Sequence, residues 1–242
     1  MSERSERTIQ HGIGEKTYDE LREIAARYPQ PRSGLLPMLH LVQSEEGRLT
    51  PEGITACAEV LGLTEAEVSG VATFYTMYKR HPVGDYLVGV CTNTLCAVMG
   101  GDAIFERLQE HLGVGNDETT ADGKITLEHV ECNAACDYAP VVMVNWEFND
   151  FQTPASAVEL VDRLRAGEEV SATRGARICS WRQAERVLAG FEDGRVDEGP
   201  AAGPASLAGL RVVAAGGLEP ASPGGSAGST TQSGSTSGGG RA

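Results

Sequence analysis

Two cysteine pairs constrain this chain more than any other feature. Cys91 and Cys96 stand in C-T-N-T-L-C, Cys132 and Cys136 in C-N-A-A-C, and 35 residues lie between the pairs. A strand-like run precedes each: Tyr86 to Val90 before the first, Ile125 to Val130 before the second. The residues between the cysteines, Thr92, Asn93 and Thr94 in one case and Asn133, Ala134 and Ala135 in the other, suit tight loops. Two loops at strand ends, each offering two thiols, can converge on one inorganic centre. We read the four thiols as an iron–sulfur site, because a [2Fe–2S] core takes two thiolates per iron. Such short loops leave backbone N–H groups to face the sulfurs, with Thr92, Asn93 and Thr94 as further expected donors. An added electron would enter an already anionic site in a chain of net charge −14, so a low reduction potential is expected.

On the residues alone three other readings stand beside this one. A structural zinc ion also accepts four cysteines, although zinc loops usually show C-x-x-C, which neither pair has. A dithiol redox site needs C-x-x-C at a helix start. Disulfides belong to oxidising compartments. The N-terminal M-S-E-R-S-E-R-T lacks an apolar core, so neither a secretory signal nor a transit peptide is expected, and reduced thiols are. The spacing also departs from the plant-type ferredoxin pattern.

A length of 242 residues allows one or two domains with tails and a core that needs no covalent staples. The acidic balance argues against nucleic acid, which calls for a basic footprint. No apolar run approaches the roughly 18 residues of a membrane span.

The expected fold class is α/β (α+β). Residues 1–16 read as a flexible arm and 17–80 as a small helical bundle. Its helices start near Thr17, near Ser33 as an N-cap, at Thr50-Pro51 and at the capping box Thr64 to Glu67. From 81 to 166 the period becomes strand-like: strand 84–91, helix 100–112, strands 125–131, 141–146 and 148–152, then a helix from Thr153-Pro154 to Ala166. That order is a small thioredoxin-like layer. Residues 167–199 form an extension with one amphipathic helix, whose Trp181 and Phe191 suggest that 176–191 clasp a neighbouring protein. Residues 200–242, rich in Gly, Ser, Ala and Pro, are expected to be disordered.

The stretches V-G-V-C-T-N-T-L-C and H-V-E-C-N-A-A-C-D-Y-A-P-V-V-M-V-N carry a close resemblance. So do Y-P-Q-P-R-S-G-L-L-P-M-L-H-L-V-Q and V-S-G-V-A-T-F-Y-T-M-Y. Over about residues 15–166 the chain resembles the thioredoxin-like [2Fe–2S] peripheral-arm subunits of respiratory NADH:quinone oxidoreductases, complex I. Related subunits occur in NAD-linked hydrogenases and formate dehydrogenases. The resemblance implies one [2Fe–2S] cluster on Cys91, Cys96, Cys132 and Cys136. It implies single-electron exchange with an FMN held by a neighbouring NADH-binding subunit, beside a second iron–sulfur subunit. It implies a hetero-oligomer, cytoplasmic and peripheral at the inner face of the bacterial membrane, without insertion into it. The chain itself shows no G-x-G-x-x-G after a strand and no phosphate-binding P-loop, in keeping with nucleotide and flavin sites elsewhere. The extension beyond 167 is a departure from the shortest members.

The remaining candidates read as structural. Cys57 sits on an apolar helix stripe, Cys179 beside Trp181 as a free thiol, and His129 on a strand. Phe74, Tyr75, Met77 and Tyr78 read mostly as packing.

Overall fold

The computed structural model describes residues 13–195, 197–199 and 202–216. The chain divides into two compact units, Met1–Gly203 and Pro204–Ala242.

The first unit opens with four helices: α1 (Glu15–Ala26), α2 (Leu35–Glu46), α3 (Pro51–Leu61) and α4 (Glu65–Phe74). Their starts follow local chemistry. The Thr50 hydroxyl accepts the Gly53 N–H at 3.0 Å, and Thr64 and Glu67 close a reciprocal capping box. Ser33 does not cap α2. It lies inside a 3₁₀ turn, Pro31–Gly34, that runs straight into the helix, so the N-cap position falls on Gly34. Leu21, Ile24, Met38, Leu39, Val42, Ala56, Cys57 and Val68 are buried together between these helices.

A five-stranded sheet follows, in the order β2-β3-β1-β4-β5. Its strands are β1 (Tyr86–Cys91), β2 (Glu118–Thr119), β3 (Ile125–Val130), β4 (Val142–Val144) and β5 (Glu147–Asn149). The central pair, β1 and β3, is parallel, and the other pairings are antiparallel. Between β1 and β3 the chain makes a short helix α5 (Thr94–Val98) and the longer α6 (Gly101–Leu112). After β5 comes α7 (Pro154–Arg165), capped by Thr153 and Ser156. Val88, Val90, Ile125, Leu127, Val142 and Val144 of the sheet bury against Ile104 and Leu108 of α6 and Val161 and Leu164 of α7. Neither α5 nor β2 is anticipated by pattern, since a five-residue helix and a two-residue strand are too short to display a period.

Part of the extension packs back on the chain itself. Helix α8 (Trp181–Leu188) lies along α2, with Trp181 1% exposed. The Trp181 backbone N–H donates to the Asp85 carbonyl at 2.7 Å, and Arg186 pairs with Glu20 at 2.7 Å. Phe191 packs on the bundle beneath the guanidinium groups of Arg27 and Arg186. Trp181 and Phe191, read as parts of a clasp for another protein, thus pack on the chain itself, whereas Val187 and Leu188 stay exposed.

In the second unit Pro204–Ala214 form a helix, α9, within the stretch expected to be disordered. Its P-A-S-L-A-G-L-R-V-V-A is rich in alanine and leucine, which favour helix locally without a packed core. Residues 200–201 and 217–242 of the expected tail, and most of the expected arm, 1–12, lie outside the described residues. Among the described residues no helix is long and apolar enough to cross a membrane.

Candidate iron–sulfur site

Parallel pairing of β1 and β3 places Cys91 opposite Val130, so the two strands end level. Cys91 is the last residue of β1, and Cys132 lies two residues past the end of β3. Cys91 is held there by its N–H donating to the Val141 carbonyl at 3.1 Å, while the Thr92 N–H donates to Val130 at 3.3 Å. Asn93 then caps α5, its side-chain oxygen accepting the Thr94 N–H at 2.8 Å, and the helix carries Cys96 inward. Gly101 opens α6 directly against these cysteines. A Cβ there would stand 2.4 Å from the Cys91 carbonyl oxygen and 2.9 Å from that of Cys96.

The second pair is carried by the loop after β3. Ala134 takes a left-handed φ of 51°, and its N–H donates to the Cys132 sulfur at 3.3 Å. Concave backbone turns of this kind favour negative charge. The loop closes in a 3₁₀ turn, Cys136–Tyr138. Behind it Arg174 reaches both oxygens of Asp150, at 2.7 and 3.0 Å, and covers the rings of Tyr138 and Phe148.

Cys91, Cys96, Cys132 and Cys136 line one cleft, together with Asn93 and Asn133. Cys91 and Cys96 form its buried wall and Cys132 and Cys136 its exposed rim. Burial pushes the Cys96 thiol up to about 11. The neighbouring thiols of Cys91 and Cys136 act in the same direction, and the Val141 N–H, directed at its sulfur, opposes them. A proton on Cys96 is therefore held until something positive replaces it, as an iron ion does. Four soft sulfur donors in two pairs, backbone N–H groups on two of the sulfurs, and a buried Asn133 amide nitrogen without a partner among the described residues fit a [2Fe–2S] cluster. Among the described residues, no three Cys, His, Asp or Glu side chains converge closely enough to hold a single ion.

All four predicted cysteines thus line one cleft. Thr92 and Thr94, expected as donors, do not line the cleft, and Val141 and Ala134 supply N–H groups instead. Gly101 and Val141 carry no pattern of their own in the sequence, and Asn133 reads there only as a loop residue. Their only signal is adjacency to the motifs.

The other candidates lie elsewhere. Cys57 is fully buried among the helices, and burial raises its thiol to about 12. Cys179 lies outside the cleft, its carbonyl accepting from the Asn145 side chain at 2.7 Å. His129 meets Phe105 edge to face. The aromatic run splits: Tyr78 is buried and donates to the Leu36 carbonyl, whereas Phe74 is 77% exposed. A separate cavity of about 800 Å³ borders the cysteine loop, and Phe74, Lys79, Glu128, Cys132 and Asn133 are among the residues that line it. Burial alone would lower the Lys79 pKa, but Glu128 at 2.5 Å and Asp117 at 2.8 Å outweigh it and raise it.

Sheet order, the level ends of β1 and β3, and the paired thiols together define a thioredoxin-like iron–sulfur protein. The model of the thioredoxin-like [2Fe–2S] ferredoxin family matches residues 21–165, and the chain belongs to that family.

Among its relatives is the E subunit of the NADH-quinone oxidoreductase of Mycobacterium tuberculosis, 66% identical over 195 residues. The match covers 80% of this chain and 77% of that protein. The NADH-quinone oxidoreductase subunit 2 of Thermus thermophilus is 38% identical over 162 residues, covering 66% of this chain and 90% of that one. A solved NAD⁺-reducing [NiFe]-hydrogenase aligns at a TM-score of 0.50 and 21% identity, over 55% of this chain and 22% of its own. That likeness is one of fold alone.

Proposed function

We propose that this chain is the [2Fe–2S] electron-transfer subunit of an NADH:quinone oxidoreductase, with Cys91, Cys96, Cys132 and Cys136 as the cluster ligands. The observation that carries the reading is the meeting of four thiols from two distant motifs in one cleft at the level ends of β1 and β3. A bound [2Fe–2S] cluster supplies one-electron chemistry and cannot accept a hydride, so NADH oxidation belongs to an FMN on a neighbouring subunit. The chain's own residues bind and shelter. Buried Cys91 and Cys96 keep water from one side, the Val141 and Ala134 N–H groups stabilise thiolate charge, and Gly101 lets α6 approach the ligands.

The rim of Cys132 and Cys136 is open, and Leu95, Val98 and Met99 on and after α5 are exposed beside it. These features support a partner at this end: the flavin- and NADH-binding subunit, with the adjacent iron–sulfur subunit completing a hetero-oligomer. The complex would lie on the cytoplasmic face of the bacterial membrane. The hydrogenase and formate dehydrogenase settings are disfavoured by the 66% identity to an NADH-quinone oxidoreductase component.

The test is the chain purified from cells with intact cluster assembly, as wild type and as four single Cys→Ser variants. The wild type should be coloured, carry about two irons and two acid-labile sulfides, and give a reduced-state EPR signal, all diminished in each variant. Colourless protein with stoichiometric zinc, or serine variants with unchanged iron and EPR, would overturn the assignment.

A further inference from the structure

We propose that the side-chain amide of Asn133 donates a hydrogen bond to a sulfur of the bound cluster and so raises its reduction potential. This rests on the ligand assignment above. The amide nitrogen of Asn133 is buried and has no hydrogen-bond partner among the described residues. A buried amide left unpaired costs about 1–3 kcal/mol, and folded chains seldom leave one so. Asn133 directly follows Cys132 and lines the cleft with all four thiols.

Its surroundings narrow the choice of acceptor. Ala134 and Ala135 bring no side-chain donor, so Asn133 is the only one between Cys132 and Cys136. The Ala134 N–H is already committed to the Cys132 sulfur. On the opposite loop, Asn93 spends its side-chain oxygen capping α5. Asn133 also borders the larger cavity, where Glu128 and Glu131 offer carboxylate oxygens, yet its amide reaches neither. Sulfur acceptors are the partners still missing from this site. They become more negative on reduction, so a donor favours the reduced form and moves the potential upward.

The experiment uses the full chain with its cluster, as wild type, Asn133→Leu and Asn133→Asp. Iron and sulfide content, the midpoint potential by EPR-monitored titration, and exchangeable-deuteron couplings in the reduced state are measured. Asn133→Leu should retain the cluster, lose one deuteron coupling and reduce the equilibrium constant for reduction about tenfold, which is about 59 mV for one electron. Asn133→Asp, ionised and without the donor, should shift the same way. Unchanged potential and couplings at full cluster content would overturn the role of Asn133 and leave the ligands standing. Should both variants fail to load, wild type labelled with ¹⁵N in the asparagine side chain decides. A ¹⁵N coupling that persists in Asn93→Ala supports the proposal, and its absence overturns it.

Discussion

Glu185 and His40, 145 residues apart in sequence, share a buried hydrogen bond of 2.7 Å. The same carboxylate oxygen accepts from the Gln43 amide at 2.6 Å, and the Gln43 oxygen accepts the Lys79 N–H at 2.6 Å. One acid on α8 thus ties the extension to α2 and to the segment leading into the sheet. Burial raises the Glu185 pKa, with His40 and Gln43 pulling against it. The native state therefore holds this proton more tightly than the unfolded chain does. Its contribution to stability falls as pH rises from the unfolded glutamate value, about 4.3, through the raised native one. Glu185→Gln should flatten that part of the pH–stability curve. Glu185→Ala takes the His40 ring nitrogen's partner away and leaves the Gln43 amide only its longer bond to the Met77 carbonyl at 3.3 Å, and should cost on the order of 3 kcal/mol. Urea unfolding at a series of pH values checks both.

Trp181 fills the joint between α8 and the rest of the first unit. Trp181→Ala should destabilise the isolated chain by about 3–5 kcal/mol, the usual cost of emptying a large buried ring site. A segment serving only to clasp another protein would leave the isolated chain's unfolding midpoint where it is in wild type.

Gly101 has no room for a side chain against the carbonyls of Cys91 and Cys96. Gly101→Ala should push those backbones apart and lower iron and sulfide content severalfold. Far-UV circular dichroism should change little, because the clash falls at the last residue of β1 and leaves the buried strand and helix residues farther along in place. Full cluster content in the variant would show that the approach of α6 is not required.

Arg174 and Asp150 are paired through two hydrogen bonds with the Asp150 side chain 5% exposed. Arg174→Ala strands that carboxylate and removes the cover from Tyr138, two residues from Cys136. A loss of about 3 kcal/mol is expected. Arg174→Lys should recover little, since an ammonium cannot reproduce the planar fork. Chemical denaturation of the three proteins measures the difference.

Much of the site is legible in the residues. Cys91, Cys96, Cys132 and Cys136 are visible because thiol pairs at fixed spacing after β-branched runs have few structural uses. Cys57 reads correctly as core from helical periodicity. Ser33 misleads, since a cap depends on where the preceding proline turn ends, and Thr92 and Thr94 mislead because loop composition does not say which way a hydroxyl faces.

Local sequence determined the long elements, their caps and the four thiols, since 3.6- and 2-residue periods and capping bonds act within a few residues of each other. Tertiary structure alone decided that Cys91 ends level with Val130, that Asn133 buries its amide beside the thiols, and that α8 lies along α2 through Glu185 and Trp181. An apolar face records that it must be covered. Which surface covers it is settled only when the distant segments compete to pack.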